Sequence, residues 1–138
     1  AYLQFSGKPS PEQVLLSHIE HEFEINRDLT PDHVQQVMYS VNAQASQLPG
    51  QVVHASNCII DGELVAHLVV RDNNHELTLV LVPERMFAEQ TTIESDEWRG
   101  VIKPHLSGSL AVFAPSDYPG NVKDDAFRYG QAIKRHTI

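Results

Sequence analysis

A two-residue turn signal at Asp61-Gly62 restricts the fold of this chain more than any other feature of its sequence. It stands between two runs, residues 51–59 and 63–71, that are rich in β-branched residues and bounded by turn residues. Asp-Gly between two such runs is typical of a β-hairpin with a two-residue loop. We therefore predict that these runs are antiparallel strands paired directly across the turn.

A weaker turn signal at Asn73-Asn74 leads into a third β-branched run over residues 76–82. Asn tolerates the positive φ of a tight turn, although less well than Gly. A second hairpin is predicted further on, with strands at 101–105 and 109–114 around a turn at 106–108. Residues 83–99 fit neither a helix nor a strand pattern clearly.

Helix-start signals flank the strands on both sides. The pairs Ser10-Pro11 and Thr30-Pro31 each combine an N-cap residue with proline at the first helical position. The pattern predicts helices over residues 10–24 and from 30 to Pro49-Gly50, and Asn121 caps a last helix. The sequence therefore predicts an α+β domain with two N-terminal helices, an antiparallel meander sheet of about five strands and a C-terminal helix.

Composition narrows the class of partner. We interpret residues 1–138 as one domain, with 18 Asp and Glu against 10 Lys and Arg and a net charge of −8 at pH 7. Nucleic acid requires a basic surface, so this balance argues against nucleic acid as a partner of this domain. Cys58 is the only cysteine, which excludes an intramolecular disulfide and any zinc site built from several thiolates. We predict no cofactor.

The two turns also predict which side chains share a face, because side chains alternate along a strand. Across Asp61-Gly62, Cys58 faces Val65, Ser56 faces His67 and His54 faces Val69. One face is then apolar and suited to pack under the helices, with Val53, Ala55, Ile59, Leu64, Ala66, Leu68, Val70, Leu77, Leu79 and Leu81. The second face carries polar groups, with His54, Ser56, Cys58, Val65, His67, Val69, Thr78, Val80 and Val82.

Cys58 and His67 are diagonal neighbours on this second face, which makes them, with His54, the candidate binding residues. A cysteine beside an imidazole becomes a reactive thiolate or a soft metal ligand. The alternative is structural: residues 84–99 cover the face, Cys58 is a small buried hydrophobic residue and His67 is hydrogen-bonded. No catalytic residues are predicted, because no known catalytic pattern has the required spacing.

A weaker metal candidate is the pair His18 and His21 on the first predicted helix. Residues three apart lie on one side of a helix, so both imidazoles can approach one ion. The zincin pattern requires a histidine four residues after the first, and the chain does not have it. The alternative is an exposed polar helix face with acidic neighbours.

Six segments of the chain resemble an uncharacterised gammaproteobacterial domain family: HIEHE at 18–22, VHASNC at 53–58, AHLV at 66–69, LTLVLVP at 77–83, GVI at 100–102 with Pro104, and GSLAV at 108–112. The similarity runs over residues 15–115. The resemblance implies a single-span membrane protein whose domain lies on the periplasmic face of the inner membrane. The architecture, including two helices followed by a sheet, is similar to the extracytoplasmic part of transmembrane anti-sigma factors. The family implies no catalytic residues, and it aligns a Cys and a His with Cys58 and His67.

From this resemblance we expect a non-enzymatic sensory or interaction domain of a membrane-anchored regulator of anti-sigma type. Its signal or protein partner is open, and its membrane contact is expected only through a segment outside these residues. Because the chain starts at Ala1 rather than Met, we expect an apolar stretch of about 20 residues upstream. The alternative function is a metal- or redox-responsive domain that uses Cys58 and His67.

Overall fold

The computed structural model describes residues 29–136. The helix predicted over residues 10–24, and with it the candidate ligands His18 and His21, lies outside the described residues. Within residues 29–136, neither helix has the length and hydropathy needed to cross a bilayer.

The described chain is α+β, as the sequence predicts. Its helices are α1 (Pro31–Tyr39) and α2 (Val122–Ala132). Its strands are β1 (Ala43–Gln44), β2 (Gln51–Ile60), β3 (Glu63–Asp72), β4 (His75–Val82), β5 (Thr91–Glu94), β6 (Trp98–His105), β7 (Gly108–Pro115) and β8 (Lys134–Arg135). Strands β2 to β7 form one antiparallel sheet, and β1 pairs with β8 in a small second sheet.

The large sheet consists of two three-stranded meanders joined side by side. Its strand order is β2-β3-β4-β7-β6-β5, so β4 pairs with β7 rather than with the strand that follows it. The prediction of about five strands in one meander therefore missed one strand and one connection. The missing strand, β5, lies in the segment 83–99, which fits no clear sequence pattern. Its four residues are too few to show the alternation of apolar and polar side chains that marks a strand.

The predicted turns at Asp61-Gly62 and Asn73-Asn74 are confirmed, and with them the predicted register. The turn predicted over 106–108 is present but shorter, because Gly108 already pairs with His105. Asp61 has φ 51° and Gly62 has φ 82°, and Asn73 and Asn74 also have positive φ. The pairs Cys58 with Val65, Ser56 with His67, and His54 with Val69 are all present. The turn chemistry is thus sufficient to set the pairing of β2, β3 and β4.

Helix α1 is shorter than predicted. It begins as expected, because the Thr30 hydroxyl accepts a hydrogen bond of 3.1 Å from the backbone N–H of His33. It ends at Tyr39 rather than near Pro49, because Asn42 has φ 61° and turns the chain into β1. The partner of β1 is β8, about 90 residues away in sequence, and a local pattern carries no information on such a pairing.

The helix-side face of the sheet forms the main core, which α1 and α2 cover. Seven of the predicted face residues are buried in it: Ala55, Ala66, Leu68, Val70, Leu77, Leu79 and Leu81. Three predictions for this face are wrong. A bulge between Val52 and His54 makes Val52, not Val53, pack against the core, and Ile59 and Leu64 are 65% and 37% exposed near the hairpin tip.

A second, smaller core lies on the opposite face. It is centred on Val65, Val80, Ile93, Ile102, Ala111 and Phe113, with Met86, Phe87 and Trp98 packed against it. This packing agrees with the structural alternative given in the sequence analysis, in which residues 84–99 cover the face that carries Cys58 and His67. The ring of Phe113 lies over Gly100 on the neighbouring strand, where an added Cβ would stand 2.3 Å from the ring. Glycine is therefore required at position 100 for this packing.

Candidate functional site

A row of polar side chains follows strand β2 on the face of the smaller core. His54, Ser56 and Cys58 alternate along the strand and so point to the same side, and His67 on β3 is the cross-strand partner of Ser56. The structure therefore brings the three candidate residues of the sequence together, with Ser56 between them. We call His54, Ser56, Cys58 and His67 the polar row.

Close contacts link the members of the polar row. His54 Nε2 lies 3.2 Å from Ser56 Oγ, and Ser56 Oγ lies 3.8 Å from Cys58 Sγ. The rings of His54 and His67 meet edge to face with their centroids 5.5 Å apart. The serine therefore lies between an imidazole nitrogen and the thiol along one strand, an arrangement that the diagonal Cys58–His67 pair of the prediction did not include.

Burial differs along the row. His54 is 9% exposed and His67 only 2%, whereas Ser56 and Cys58 are partly buried. The imidazoles thus lie inside the protein, and the thiol lies nearer to solvent. A hydroxyl both donates and accepts a hydrogen bond, so Ser56 is able to pass a proton between the thiol and the neighbouring imidazole.

A metal centre would need more ligands than the described chain brings together. Among residues 29–136, no group of three or more His, Cys, Asp or Glu side chains has the arrangement to hold an ion. The weak candidates His18 and His21 are outside these residues, so their prediction is not tested.

A second polar cluster joins α2 to the end of β3. The hydroxyl of Tyr118 donates to Asp125 over 2.7 Å, and Arg128 donates to Asp125 over 2.6 Å and to Asp72 over 2.9 Å. Desolvation and the hydrogen bond with Asp125 raise the pKa of Tyr118 to about 12. The buried Tyr129 hydroxyl also contacts Asp72, at 3.3 Å. These five side chains bond to one another, so their evident role is to attach α2 to the sheet.

Sequence reasoning did not predict this second cluster. Asp72 lies 56 residues before its partner Arg128 and 57 residues before its partner Tyr129. The available signal was that Asp125 and Tyr129 are four apart on a predicted helix and so share a face, as do Asp125 and Arg128.

Comparison with known proteins gives one match. A model of the family described as "Protein of unknown function (DUF3379)" matches residues 1–122. No curated protein and no solved structure matches the chain.

Proposed function

The chain belongs to the DUF3379 family, and we propose that it is a non-enzymatic sensory or interaction domain of a membrane-anchored regulator. The proposed location is the periplasmic face of the inner membrane, and the proposed regulator is of anti-sigma type. The segments at 18–22, 53–58 and 66–69 support this through their resemblance to a family of single-span membrane proteins, whose architecture is similar to that of anti-sigma factors. The acidic net charge of −8 is consistent with a protein rather than a nucleic acid as partner.

An exposed apolar pair at the tip of the β2–β3 hairpin is the observation that carries the proposal. Ile59 and Leu64 are directly paired across the two strands and are 65% and 37% exposed. The hydrogen bonds between α1 and β2 are made at Ala55 and Asn57, so the pair lies beyond them, toward the turn. Adjacent exposed apolar side chains are suited to contact with a partner protein.

The test uses the full-length protein in its own cell. If it restrains a sigma factor, deletion of its gene should induce a defined set of transcripts. Ile59→Asp in the chromosomal gene should induce the same set, because a carboxylate at the hairpin tip opposes an apolar contact. Phe127→Asp is the matched control, since Phe127 is 57% exposed on α2, and it should leave the transcripts unchanged.

Immunoblots must show equal amounts of both variants.

The proposed location has its own test. Protease added to spheroplasts should degrade the domain while a cytosolic marker stays intact. Protection of the domain until the cells are lysed, or a deletion strain with unchanged transcripts, would contradict the proposal.

A second candidate function, the redox-responsive alternative, rests on the chain of contacts His54–Ser56–Cys58. With a peroxide as oxidant, the Cys58 sulfur attacks the O–O bond and becomes a sulfenic acid. The thiol proton passes through Ser56 to His54 and is then returned to the leaving oxygen, which departs as water or an alcohol. The reaction consumes one thiol and one peroxide and leaves no net charge on the protein.

We expect Cys58 in the folded protein to react with iodoacetamide at neutral pH faster than in the urea-unfolded chain. The expected ratio is about tenfold, because a few per cent of an ordinary thiol is ionised at this pH and a neighbouring base raises that fraction. Ser56→Ala should remove the advantage, and Ser116→Ala, at an exposed position, should keep it. Alkylation is followed by mass spectrometry. A thiol that reacts only after unfolding would identify Cys58 as a structural residue.

A further inference from the structure

A cavity lies between the end of β4, the β6–β7 turn and the small β1–β8 sheet. Its volume is about 170 Å³, and its polar lining comes from Asn42, His105, Ser107, Ser109, Arg135 and His136. The cavity is smaller than the roughly 300 Å³ at which pockets for drug-sized ligands begin. It therefore suits a group of a few heavy atoms rather than a nucleotide.

The turn between β6 and β7 is held against the end of β4. A Cβ added at Gly108 would lie 2.0 Å from the carbonyl oxygen of Val82, so glycine permits this approach. Ser109 is 2% exposed, and its hydroxyl donates to the Glu84 carbonyl and accepts from the Met86 N–H. These contacts fix one wall of the cavity in position.

One positive side chain lines the cavity, and three more lie on the segments beside it. Arg135 lines it, and Arg85 reaches the turn, where its guanidinium donates a 2.8 Å hydrogen bond to the Leu106 carbonyl. Lys103 and Lys134 are near enough to His105 to lower its pKa by charge repulsion. Four of the chain's 10 Lys and Arg residues thus lie at the cavity, at the β6–β7 turn or near His105, in a protein of net charge −8.

These four cations are not neutralised by acidic partners in the described chain. Between residues 29 and 136, the salt bridges are made by Arg71 and Arg128, and none involves the cations at the cavity. The acidic residue beside the turn is Glu84, whose side chain is exposed and whose carbonyl, not its carboxylate, contacts Ser109. The cluster therefore has a net positive charge.

We propose that this cavity binds a phosphate-type oxyanion, either free or as the phosphate group of an anionic lipid. Guanidinium, hydroxyl and amide groups donate hydrogen bonds to tetrahedral oxyanions, and Arg135, Ser107 and Asn42 bring one of each to this small cavity. This site is separate from the polar row and from the hairpin tip, so it does not depend on the function proposed above.

His105 supplies a reporter at the site. Its Nε2 lies 3.0 Å from the carbonyl oxygen of Ile133, which only accepts, so Nε2 carries the hydrogen of this bond. Burial is the main cause that lowers the pKa of His105, with Lys103 and Lys134 adding to it. An anion bound beside the ring would offset that repulsion and raise the pKa.

The experiment follows the His105 ring by NMR during pH titrations of the chain, with inorganic phosphate or with chloride at equal ionic strength. We expect phosphate to raise the His105 pKa saturably and chloride to leave it unchanged. Arg135→Gln should weaken phosphate binding by about tenfold, since a charge-assisted hydrogen bond is lost. Lys134→Gln serves as a second variant should Arg135→Gln fold poorly. Arg71→Gln, which removes an exposed cation paired with Glu76, is the control and should bind as the parent does.

Vesicles separate the two sources of phosphate. A lipid phosphate would be assigned if the protein co-sediments with phosphatidylglycerol vesicles but not with phosphatidylcholine vesicles, and if Arg135→Gln abolishes this co-sedimentation. Binding of inorganic phosphate without binding to vesicles would assign the free anion. The proposal is overturned if phosphate and chloride act alike on His105, or if Arg135→Gln and Arg71→Gln weaken binding equally.

Discussion

Replacement of Leu68 by alanine is expected to lower the free energy of unfolding by about 2–5 kcal/mol. Leu68 is fully buried in the helix-side core, where it pairs with Ala55 on β2 and with Leu79 on β4. Its neighbours belong to a sheet fixed by hydrogen bonds on both sides, so they cannot close the cavity that the lost side chain leaves. The loss should appear in urea denaturation as a lower midpoint with an unchanged slope.

Leu64→Ala is the matched control for this experiment. Leu64 lies on the same strand and the same face, four residues earlier, and is 37% exposed. Its replacement should cost less than about 1 kcal/mol, because much of its surface is already in water. Equal losses for the two variants would mean that the helix-side core is not where the structure places it.

Phe113→Ala is expected to cost about 3–5 kcal/mol, the range for a buried aromatic residue. Phe113 is fully buried in the smaller core, and its ring fills the space that Gly100 leaves on β6. Alanine at 113 would leave two small residues paired across β6 and β7 with a void above them. Thermal and urea unfolding should both show the loss.

Phe127→Ala provides the comparison for the second core. Phe127 is 57% exposed on α2, so the same chemical change should cost less than about 1 kcal/mol there. If Phe113→Ala also lowers the free energy of unfolding by less than about 1 kcal/mol, the loop carrying Met86 and Phe87 does not cover that face of the sheet.

The β2–β3–β4 meander could be predicted from the sequence because its information is local. Asp61-Gly62 and Asn73-Asn74 adopt the positive φ values that tight turns need, and a two-residue loop leaves only one register. The face that holds His54, Cys58 and His67 follows from that register alone. Only the bulge between Val52 and His54 departs from it, and no residue there marks a bulge as glycine would.

Other parts of the fold depend on contacts that no local pattern encodes. The pairing of β4 with β7, and of β1 with β8, joins segments that are distant in sequence. The cavity could not be predicted for the same reason: Arg85, His105 and Arg135 come from three separate segments, and each by itself is typical of an exposed loop or strand end. The contact of Ser56 with both His54 and Cys58 required side-chain distances, although the strand pattern placed all three on one face.

The position of α1 has a consequence for how copies of this protein behave at high concentration. Strand β2 is an edge of the large sheet, and in a two-residue hairpin the Ala55 backbone points away from β3. The His33 ring on α1 donates a 3.0 Å hydrogen bond to the Ala55 carbonyl, and the Asn57 side chain donates to the Val37 carbonyl near the end of α1. A second molecule therefore meets a helix where it would otherwise find unpaired peptide groups. The opposite edge, β5, is only four residues long, so within residues 29–136 neither edge of the sheet offers a long template for strand addition and fibre growth.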